Sequence, residues 1–240
     1  MKIGCIVLAR FSSSRLPGKA LRPLQGKALL HRVYDALAPY FEPSQIVVAT
    51  SDEPSDTPIV EYCRQQGITY YRGSLDNVAQ RFADCANAHR MDYAFRINGD
   101  NLFVEITSLL DMKLAVAEDS SLDFLSNVEG RTYPYGMSVE LVKTSFYQSV
   151  LHRIGRDARY REHVTLYLYD HPAEGRRLYF YNEKYPEAQA IPLAIDTPKD
   201  FGLAEMMLAE IAEGHSKETL ADIVSLYHKA NQQYEQDLAG

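Results

Sequence analysis

Two adjoining stretches near the start of the chain decide the fold: KIGCIVLA at residues 2–9 and RFSSSRLPGKAL at residues 10–21. The first stretch is almost continuously apolar, which is typical of a strand buried on both faces of a parallel sheet. The second is rich in Ser, Pro, Gly and basic residues and predicts a loop. Apolar residues at helical spacing follow over residues 29–37, so the chain begins as a strand–loop–helix unit.

The same alternation of short apolar runs and amphipathic segments continues along the chain. It predicts strands over 45–50, 68–71 and 93–97, and helices over 58–66, 75–88 and 106–117. Such alternation is typical of an α/β protein whose mostly parallel central sheet is flanked by helices. We therefore expect a single domain over residues 1–240. Ligands of these sheets bind beyond the carboxyl ends of the strands.

The alternation weakens between Asp123 and Val142, where Gly and Pro residues interrupt short apolar pieces. This segment predicts a small extended excursion from the sheet. After it, the pattern predicts helices over 142–153, 160–169, 201–212 and 219–230, and strands over 177–181 and 193–195.

The charge of the chain is unevenly distributed. The 240 residues carry 25 basic and 32 acidic side chains, a net charge of −7 that argues against a general nucleic-acid binder. The first 34 residues nevertheless hold seven basic residues and no acidic one. A concentrated basic loop in an acidic protein fits a small polyanion, although a solvated basic face would look the same. The apolar runs are too short to span a bilayer, and the three Cys show no CxxC pair. We expect a cytoplasmic protein with no membrane partner.

The loop after the first strand lacks the common nucleotide-binding patterns. No GxG occurs in the chain, and the sequence at 26–28 lacks the hydroxyl of a P-loop. The loop itself offers three cations, three hydroxyl groups and a Pro-Gly turn. Arg and Lys side chains with short neighbouring donors are what a triphosphate requires. The loop is therefore interpreted as a phosphate-binding loop.

The pattern ARxxSxRLPGKxL at residues 9–21 resembles the signature of the cytidylyltransferases that activate 3-deoxy-octulosonate and related sugar acids. The resemblance extends to the branch that serves spore-coat polysaccharide synthesis. Further pieces match in the same order and carry the resemblance to about residue 205: VATS at 48–51, YRGS at 71–74, RINGD at 96–100, RTYP at 131–134, REHVT at 161–165 and IDTPKD at 195–200.

The resemblance implies a GT-A-like nucleotide-diphospho-sugar transferase fold and a reaction in which CTP and a sugar acid give a CMP-sugar and pyrophosphate. Arg10, Lys19 and Asp100 would be the catalytic residues, and Asp100 and Asp196 would hold Mg²⁺. The nucleotide would contact Leu8, Ala9, Arg10, Ser13, Arg15, Lys19, Arg72, Ser74 and Asp100. The acceptor would contact Asn77, Arg81, Asn98, Glu162 and His163. The excursion over 123–142 would form the contact of a homodimer.

Departures from the family pattern leave the base and the acceptor open. Leu8 stands where relatives have Gln or Pro, and Asn98 stands where they have Thr or Gln. Leu102 and Glu105 replace a Pro and an Asp. The alternatives are a nucleotidyltransferase with another NTP or with a phospho-sugar or polyol acceptor, and a catalytically weak nucleotide-sugar-binding partner of a polysaccharide assembly. Asp196 would also serve as the cap of the helix that follows it.

Overall fold

The computed structural model describes residues 1–13, 15–217 and 219–239, with all side chains of these except 238 and 239. Ser14 of the basic loop therefore lies outside the described residues. The strands are β1 (Ile3–Leu8), β2 (Pro23–Leu24), β3 (Lys27–Ala28), β4 (Ile46–Ser51), β5 (Tyr70–Gly73), β6 (Tyr93–Asn98), β7 (Phe124–Ser126), β8 (Glu140–Lys143) and β9 (Arg177–Tyr179). The helices are α1 (Leu29–Leu37), α2 (Thr57–Gln66), α3 (Val78–Ala88), α4 (Ile106–Glu118), α5 (Thr144–Ile154), α6 (Ala158–Glu162), α7 (Leu166–Asp170), α8 (Pro198–Ala212) and α9 (Leu220–Ala239).

In the described part of the chain, a seven-stranded sheet has the order β5-β4-β1-β6-β8-β7-β9, and β2 and β3 form a separate hairpin. The first four strands are parallel. Strand β8 runs antiparallel to both β6 and β7, whereas β9 is parallel to β7. The predicted α/β architecture with a mostly parallel central sheet is confirmed.

Helices cover both faces of this sheet because side chains of a strand alternate between its faces. Cys5 and Val7 of β1 pack in one apolar cluster with α1, α2 and α4. Ile6 packs in a second cluster with α3, α5 and α7. Helices α8 and α9 build a third cluster against the β2–β3 hairpin. None of the described helices combines the length and apolarity that crossing a bilayer requires.

The predicted excursion over 123–142 is wrong in its extent. Its two ends are β7 and β8, which pair with each other inside the central sheet. Between these two strands, residues 127–139 lie outside the sheet, and we call them the 127–139 loop. Because Val142 and Lys143 belong to β8, helix α5 begins at Thr144 rather than at 142.

Two further predictions from the second half of the chain are wrong. No strand forms over 193–195; instead, the N–H groups of Leu193 and Ala194 both donate to the carbonyl of Tyr135, at 2.7 and 3.1 Å. The helix expected over 160–169 is broken into α6 and α7. The carbonyl of Val164 in the break accepts a hydrogen bond of 2.6 Å from the Tyr147 hydroxyl, in place of a helical partner.

The carboxyl ends of β1 and β6 meet because the two strands are in parallel register, with Leu8 opposite Asn98. The turn that follows β6 then passes close to the end of β1: the Gly99 N–H donates to the Leu8 carbonyl at 2.8 Å. A Cβ at position 99 would lie 3.0 Å from that carbonyl oxygen, so a larger residue would push the turn away. The basic loop and the turn at 98–101 therefore share one edge of the sheet.

Asp56, at the start of α2, holds the first residues of the basic loop through hydrogen bonds. Its fully buried carboxylate accepts hydrogen bonds from the backbone N–H groups of Phe11 (2.6 Å) and Ser51 (3.0 Å). Burial alone would raise the pKa of this carboxyl, but the hydrogen bonds from Ser51 and Phe11 outweigh it and lower the pKa. The loop closes above this point through a bond of 3.1 Å from the Gly18 N–H to the Phe11 carbonyl.

We expect Asp56→Asn to lower the free energy of unfolding at neutral pH by about 1–3 kcal/mol, because an amide offers one acceptor oxygen to two buried N–H groups. The folded-state pKa of Asp56 is depressed, so its contribution is present above the unfolded-state value and lost as the pH falls through the folded-state value. Denaturant unfolding should therefore show that the difference between wild type and variant shrinks below about pH 4. The exposed Asp52→Asn is the matched control. A variant as stable as this control would contradict the anchoring role.

Candidate active site

A cavity of about 370 Å³ opens at the carboxyl ends of β1 and β6. Most of the site residues predicted from the sequence line it: Leu8, Ala9, Arg10, Ser13, Arg15, Lys19, Arg81, Asn98, Asp100, Glu162, His163 and Asp196. These residues come from five separate parts of the chain. The fold therefore brings the basic loop, the turn after β6 and the segment before α8 to one place.

Lys19 lies at the centre of the charged groups in this cavity. Its Nζ donates to Asp100 Oδ2 at 2.7 Å, to Asp196 Oδ1 at 2.9 Å and to the Ile195 carbonyl at 2.8 Å. Burial alone would lower the pKa of the ammonium, but the carboxylates of Asp100 and Asp196 outweigh that effect and raise it. Lys19 is thus a cation shared by two carboxylates that are 96 positions apart in the sequence.

The two arginines of the basic loop are also paired with carboxylates. Arg15 Nη2 lies 3.0 Å from the second oxygen of Asp196, Oδ2. Arg10 Nη1 lies 3.3 Å from Glu162 Oε1, at the end of α6. Both guanidinium groups are more than half exposed, so these pairs contribute little to stability and exchange partners readily.

Asp196 is not the cap of helix α8. The hydroxyl of Thr197 accepts the Asp200 N–H at 3.2 Å, and the Asp200 carboxylate accepts the Thr197 N–H at 2.7 Å, which together form a capping box. The Asp200 carboxylate also accepts the Asp196 N–H at 3.0 Å. The main chain of Asp196 is therefore held by the helix end, and its carboxylate is left to face Lys19 and Arg15.

The Asp100–Asp196 pair fits a divalent cation of the Mg²⁺ type. Two hard carboxylate oxygens already share one cationic group, and Mg²⁺ takes one or two carboxylates and completes its shell with water and phosphate oxygens. Among the described residues, no cluster of three or more His, Cys, Asp or Glu is placed to hold a metal. A cation here would consequently depend on a phosphate ligand for the rest of its shell.

Arg81, on α3, is a nearly fully buried cation in the wall of the cavity. Its Nη1 donates to the Ser74 carbonyl at 2.7 Å, and its Nε has no hydrogen-bond partner within the described chain. Burial lowers the pKa of this guanidinium, and the charges of Asp56 and Glu162 oppose that effect. A buried charge with unused donors is typical of a ligand-binding position.

Arg96 on β6 also lines the cavity; it begins the RINGD motif at 96–100 and was not among the predicted site residues. Its Nη1 donates to Glu140 Oε2 at 3.0 Å, directly across the β6–β8 pair. Glu140 is buried, and its other oxygen accepts the Tyr169 hydroxyl at 2.7 Å. A single Arg within the apolar strand YAFRI at 93–97 was the signal that could have identified it.

The 127–139 loop contributes a further side of the cavity through Tyr135, Gly136 and Ser138. Gly136 has a φ of +104°, and a Cβ there would lie 2.3 Å from the Ala194 nitrogen. Only glycine permits this contact between the loop and the segment that carries Asp196.

Three predicted site residues do not line this cavity. The Arg72 guanidinium donates to the carbonyls of Ser51 and Glu53, at 3.0 and 2.9 Å. The Ser74 hydroxyl accepts the Asn77 N–H at 3.0 Å, and the Asn77 side chain caps α3 by accepting the Gln80 N–H. These bonds order the segment that leads into α3, and contacts of Arg72, Ser74 and Asn77 with a ligand stay predictions.

Glu105, one of the departures from the family pattern, is the N-cap of α4 and accepts the Ser108 N–H. It is buried and does not line the cavity. The replacement of the family's Asp by Glu105 therefore affects the N-terminus of α4 and not the lining of the cavity.

Known proteins resemble this chain over most of its length. Residues 4–235 match the family model described as cytidylyltransferase. Spore coat polysaccharide biosynthesis protein SpsF of Bacillus subtilis (strain 168) is 33% identical over 200 residues, which are 82% of this chain and 82% of that protein. The 3-deoxy-manno-octulosonate cytidylyltransferase of Geotalea daltonii is 30% identical over 122 residues, which are 51% of this chain and 47% of that protein.

A solved structure supports the same relationship. The structure of a cytidylyltransferase from Leptospira borgpetersenii serovar Hardjo-bovis superposes with a TM-score of 0.85 at 27% identity, covering 97% of this chain and 96% of that one. The fold predicted from the sequence resemblance is thereby confirmed. Because the family model spans nearly the whole chain and the matched fold is that of its members, this chain belongs to the cytidylyltransferase family of nucleotidyltransferase enzymes.

Proposed function

We propose that this enzyme transfers the cytidylyl group of CTP to a sugar acid and releases pyrophosphate. The observation that carries the proposal is the contact of Lys19 with Asp100 and Asp196, which brings the cation assigned to the triphosphate together with the two carboxylates assigned to the metal. A site that binds phosphate alone does not need the two carboxylates, and a site that binds a metal alone does not need the lysine.

The proposed reaction needs charge neutralisation and alignment more than covalent chemistry. A hydroxyl of the acceptor attacks the α-phosphorus in line with the departing pyrophosphate, and no bond to the protein has to form. Arg10, Arg15 and Lys19 are assigned to the β- and γ-phosphates, whose negative charge they balance. Ala9 and Ser13 line the same cavity and are assigned to the nucleotide. A Mg²⁺ ion held by Asp100 and Asp196 would neutralise charge on the phosphate oxygens as pyrophosphate leaves.

A second group of lining residues is assigned to the acceptor. It comprises Arg81, Asn98, Glu162 and His163, as the resemblance implies, together with Arg96. The guanidinium groups of Arg81 and Arg96 suit an acceptor with a carboxylate, because a guanidinium binds a carboxylate through two parallel hydrogen bonds. The similarity to a spore coat polysaccharide protein and to a 3-deoxy-manno-octulosonate cytidylyltransferase supports a sugar acid used for surface polysaccharide. We place the reaction in the cytoplasm, where CTP is made.

A second copy of the chain is proposed to cover the outer edge of the sheet. Strand β9 is the last strand in the sheet order, so its outer N–H and C=O groups face away from the sheet. Leu178 of β9, Tyr181 after it and Tyr135 of the 127–139 loop are large exposed hydrophobic residues. Because this edge includes the loop that the family resemblance links to pairing, we propose a homodimer through β9 and the 127–139 loop.

We expect the wild-type enzyme to release pyrophosphate in the presence of Mg²⁺ when CTP is combined with a sugar acid. The measurement is a screen of CTP, ATP, GTP and UTP against sugar acids, phospho-sugars and polyols with coupled detection of pyrophosphate. Selective use of another NTP or of a neutral acceptor would replace the proposed substrates. No release with any pair would favour a nucleotide-sugar-binding partner of a polysaccharide assembly.

Asp100→Asn and Asp196→Asn should each fold normally and lose turnover by roughly 100-fold or more, because the amide keeps the size of the side chain but removes an anionic metal ligand worth several kcal/mol. Melting temperature and Mg²⁺-dependent pyrophosphate release are measured together. Asp35→Asn is the control, because Asp35 is also paired with a lysine (Lys27) but lies outside the cavity. Full activity of Asp196→Asn would break the two-carboxylate assignment.

Light scattering at micromolar concentration should give twice the mass of the chain, and Tyr181→Glu should give the mass of one chain, because a buried carboxylate would disfavour the contact. Leu114→Glu on α4, at an exposed position of comparable apolar size, should leave the mass unchanged. A wild-type monomer, or a Tyr181→Glu dimer, would contradict the proposed contact.

A further inference from the structure

The Lys19 ammonium and the proposed metal ion depend on the same two carboxylates. Lys19 Nζ lies 2.7 Å from an oxygen of Asp100 and 2.9 Å from an oxygen of Asp196, so these oxygens are at most about 5.6 Å apart, the sum of both contacts. Mg²⁺ holds carboxylate oxygens at about 2.0–2.1 Å. An ion held by these oxygens would compete with Nζ for them, and the two positive charges would repel. The ammonium and the ion therefore compete for the two carboxylates.

A divalent cation carries the same charge as Lys19 and Arg15 together. Asp100 and Asp196 carry two negative charges, which Lys19 and Arg15 balance through contacts of 2.7–3.0 Å. A divalent cation brings the same two positive charges. When it binds the carboxylates, the pair stays neutral and both basic side chains lose their partners. Both belong to the loop assigned to the triphosphate. The negative charge of the triphosphate would then replace the carboxylates as their partner.

The two side chains can move without repacking the core. Lys19 carries its charge on a flexible four-carbon stem, and its ammonium bonds, among the described residues, to the two carboxylates and the Ile195 carbonyl. The Arg15 side chain is 63% exposed. Arg10 is different, because its partner is Glu162 and not a proposed metal ligand. A cation at the two carboxylates would therefore displace two of the three basic side chains of the loop, Lys19 and Arg15.

We propose, building on the function proposed above, that Lys19 and Arg15 are exchangeable counterions of the Asp100–Asp196 pair. A divalent cation takes over the carboxylates, and the released side chains bind the triphosphate. The cation and the nucleotide consequently bind weakly alone and strongly together, and each raises the affinity of the other by the same factor.

The test measures Mn²⁺ binding to the protein without nucleotide, by electron paramagnetic resonance. Lys19→Met keeps an unbranched side chain and removes the competing charge, so it should bind Mn²⁺ more tightly, by about tenfold or about 1.4 kcal/mol. Arg15→Gln should shift the affinity in the same direction by less. Lys27→Met, which removes a lysine paired with Asp35 outside the cavity, is the matched control and should not change it.

A second titration follows CTP by calorimetry with and without Mn²⁺. Wild type should gain affinity for CTP on adding Mn²⁺, and Lys19→Met should bind CTP more weakly and gain less. Unchanged or weaker Mn²⁺ binding by both Lys19→Met and Arg15→Gln would overturn the exchange. Should Lys19→Met not fold by circular dichroism, the exposed Arg15→Gln decides on its own.

The two proposals fail in different ways. Tighter Mn²⁺ binding by the variants supports the exchange even if the nucleotide screen shows no turnover, because that measurement involves no substrate. Turnover of CTP by wild type without any gain in Mn²⁺ affinity in the variants overturns the exchange and leaves the proposed function intact.

Discussion

Leu8 and Asn98 lie opposite each other where β1 and β6 end, and the N–H of Gly99 closes on the Leu8 carbonyl. This parallel register sends two unrelated segments, the basic loop and the turn that carries Asp100, to the same edge of the sheet. The contact between Lys19 and Asp100 follows from it, and Asp196 reaches the same place from the start of α8. A shift of one residue between the strands would turn every β1 side chain to the other face and separate these groups.

Compensation of charge is the second constraint on the cavity. Within the described residues, Arg10, Arg15, Lys19 and Arg96 are each paired with a carboxylate. The pairs of Arg10 and Arg15 are exposed and weak, whereas the pairs of Lys19 and of Arg96 are sheltered. Lys19 and Arg96 differ in their partners: the carboxylates of Lys19 are the proposed metal ligands, and the carboxylate of Arg96 is held by Tyr169.

Local patterns were sufficient to predict β1, β4, β6 and α1 nearly to the residue, because continuous apolar runs and helical spacing depend only on neighbouring residues. The segments 123–142 and 193–195 were misread because their pairing is decided by distant partners: β8 pairs with β6, and Leu193 bonds to Tyr135. The residues of the charged loop were found through a motif. Asp56 could not be found, since an Asp before Thr and Pro looks like a helix cap and its bond to Phe11 spans 45 residues.

The hydrogen-bond chain from Arg96 through Glu140 to Tyr169 is independent of the basic loop, since β6, β8 and α7 supply all its members. Arg96 therefore keeps its partners if the basic loop moves, although β6 also leads into the turn that carries Asp100. Under the proposed assignment of Arg96 to the acceptor, a redesign of acceptor choice would have to replace Arg96, Glu140 and Tyr169 together, because removing one member leaves a buried partner unsatisfied. Lys19, Arg15 and their carboxylates take no part in these hydrogen bonds, so such a redesign would leave them unaltered.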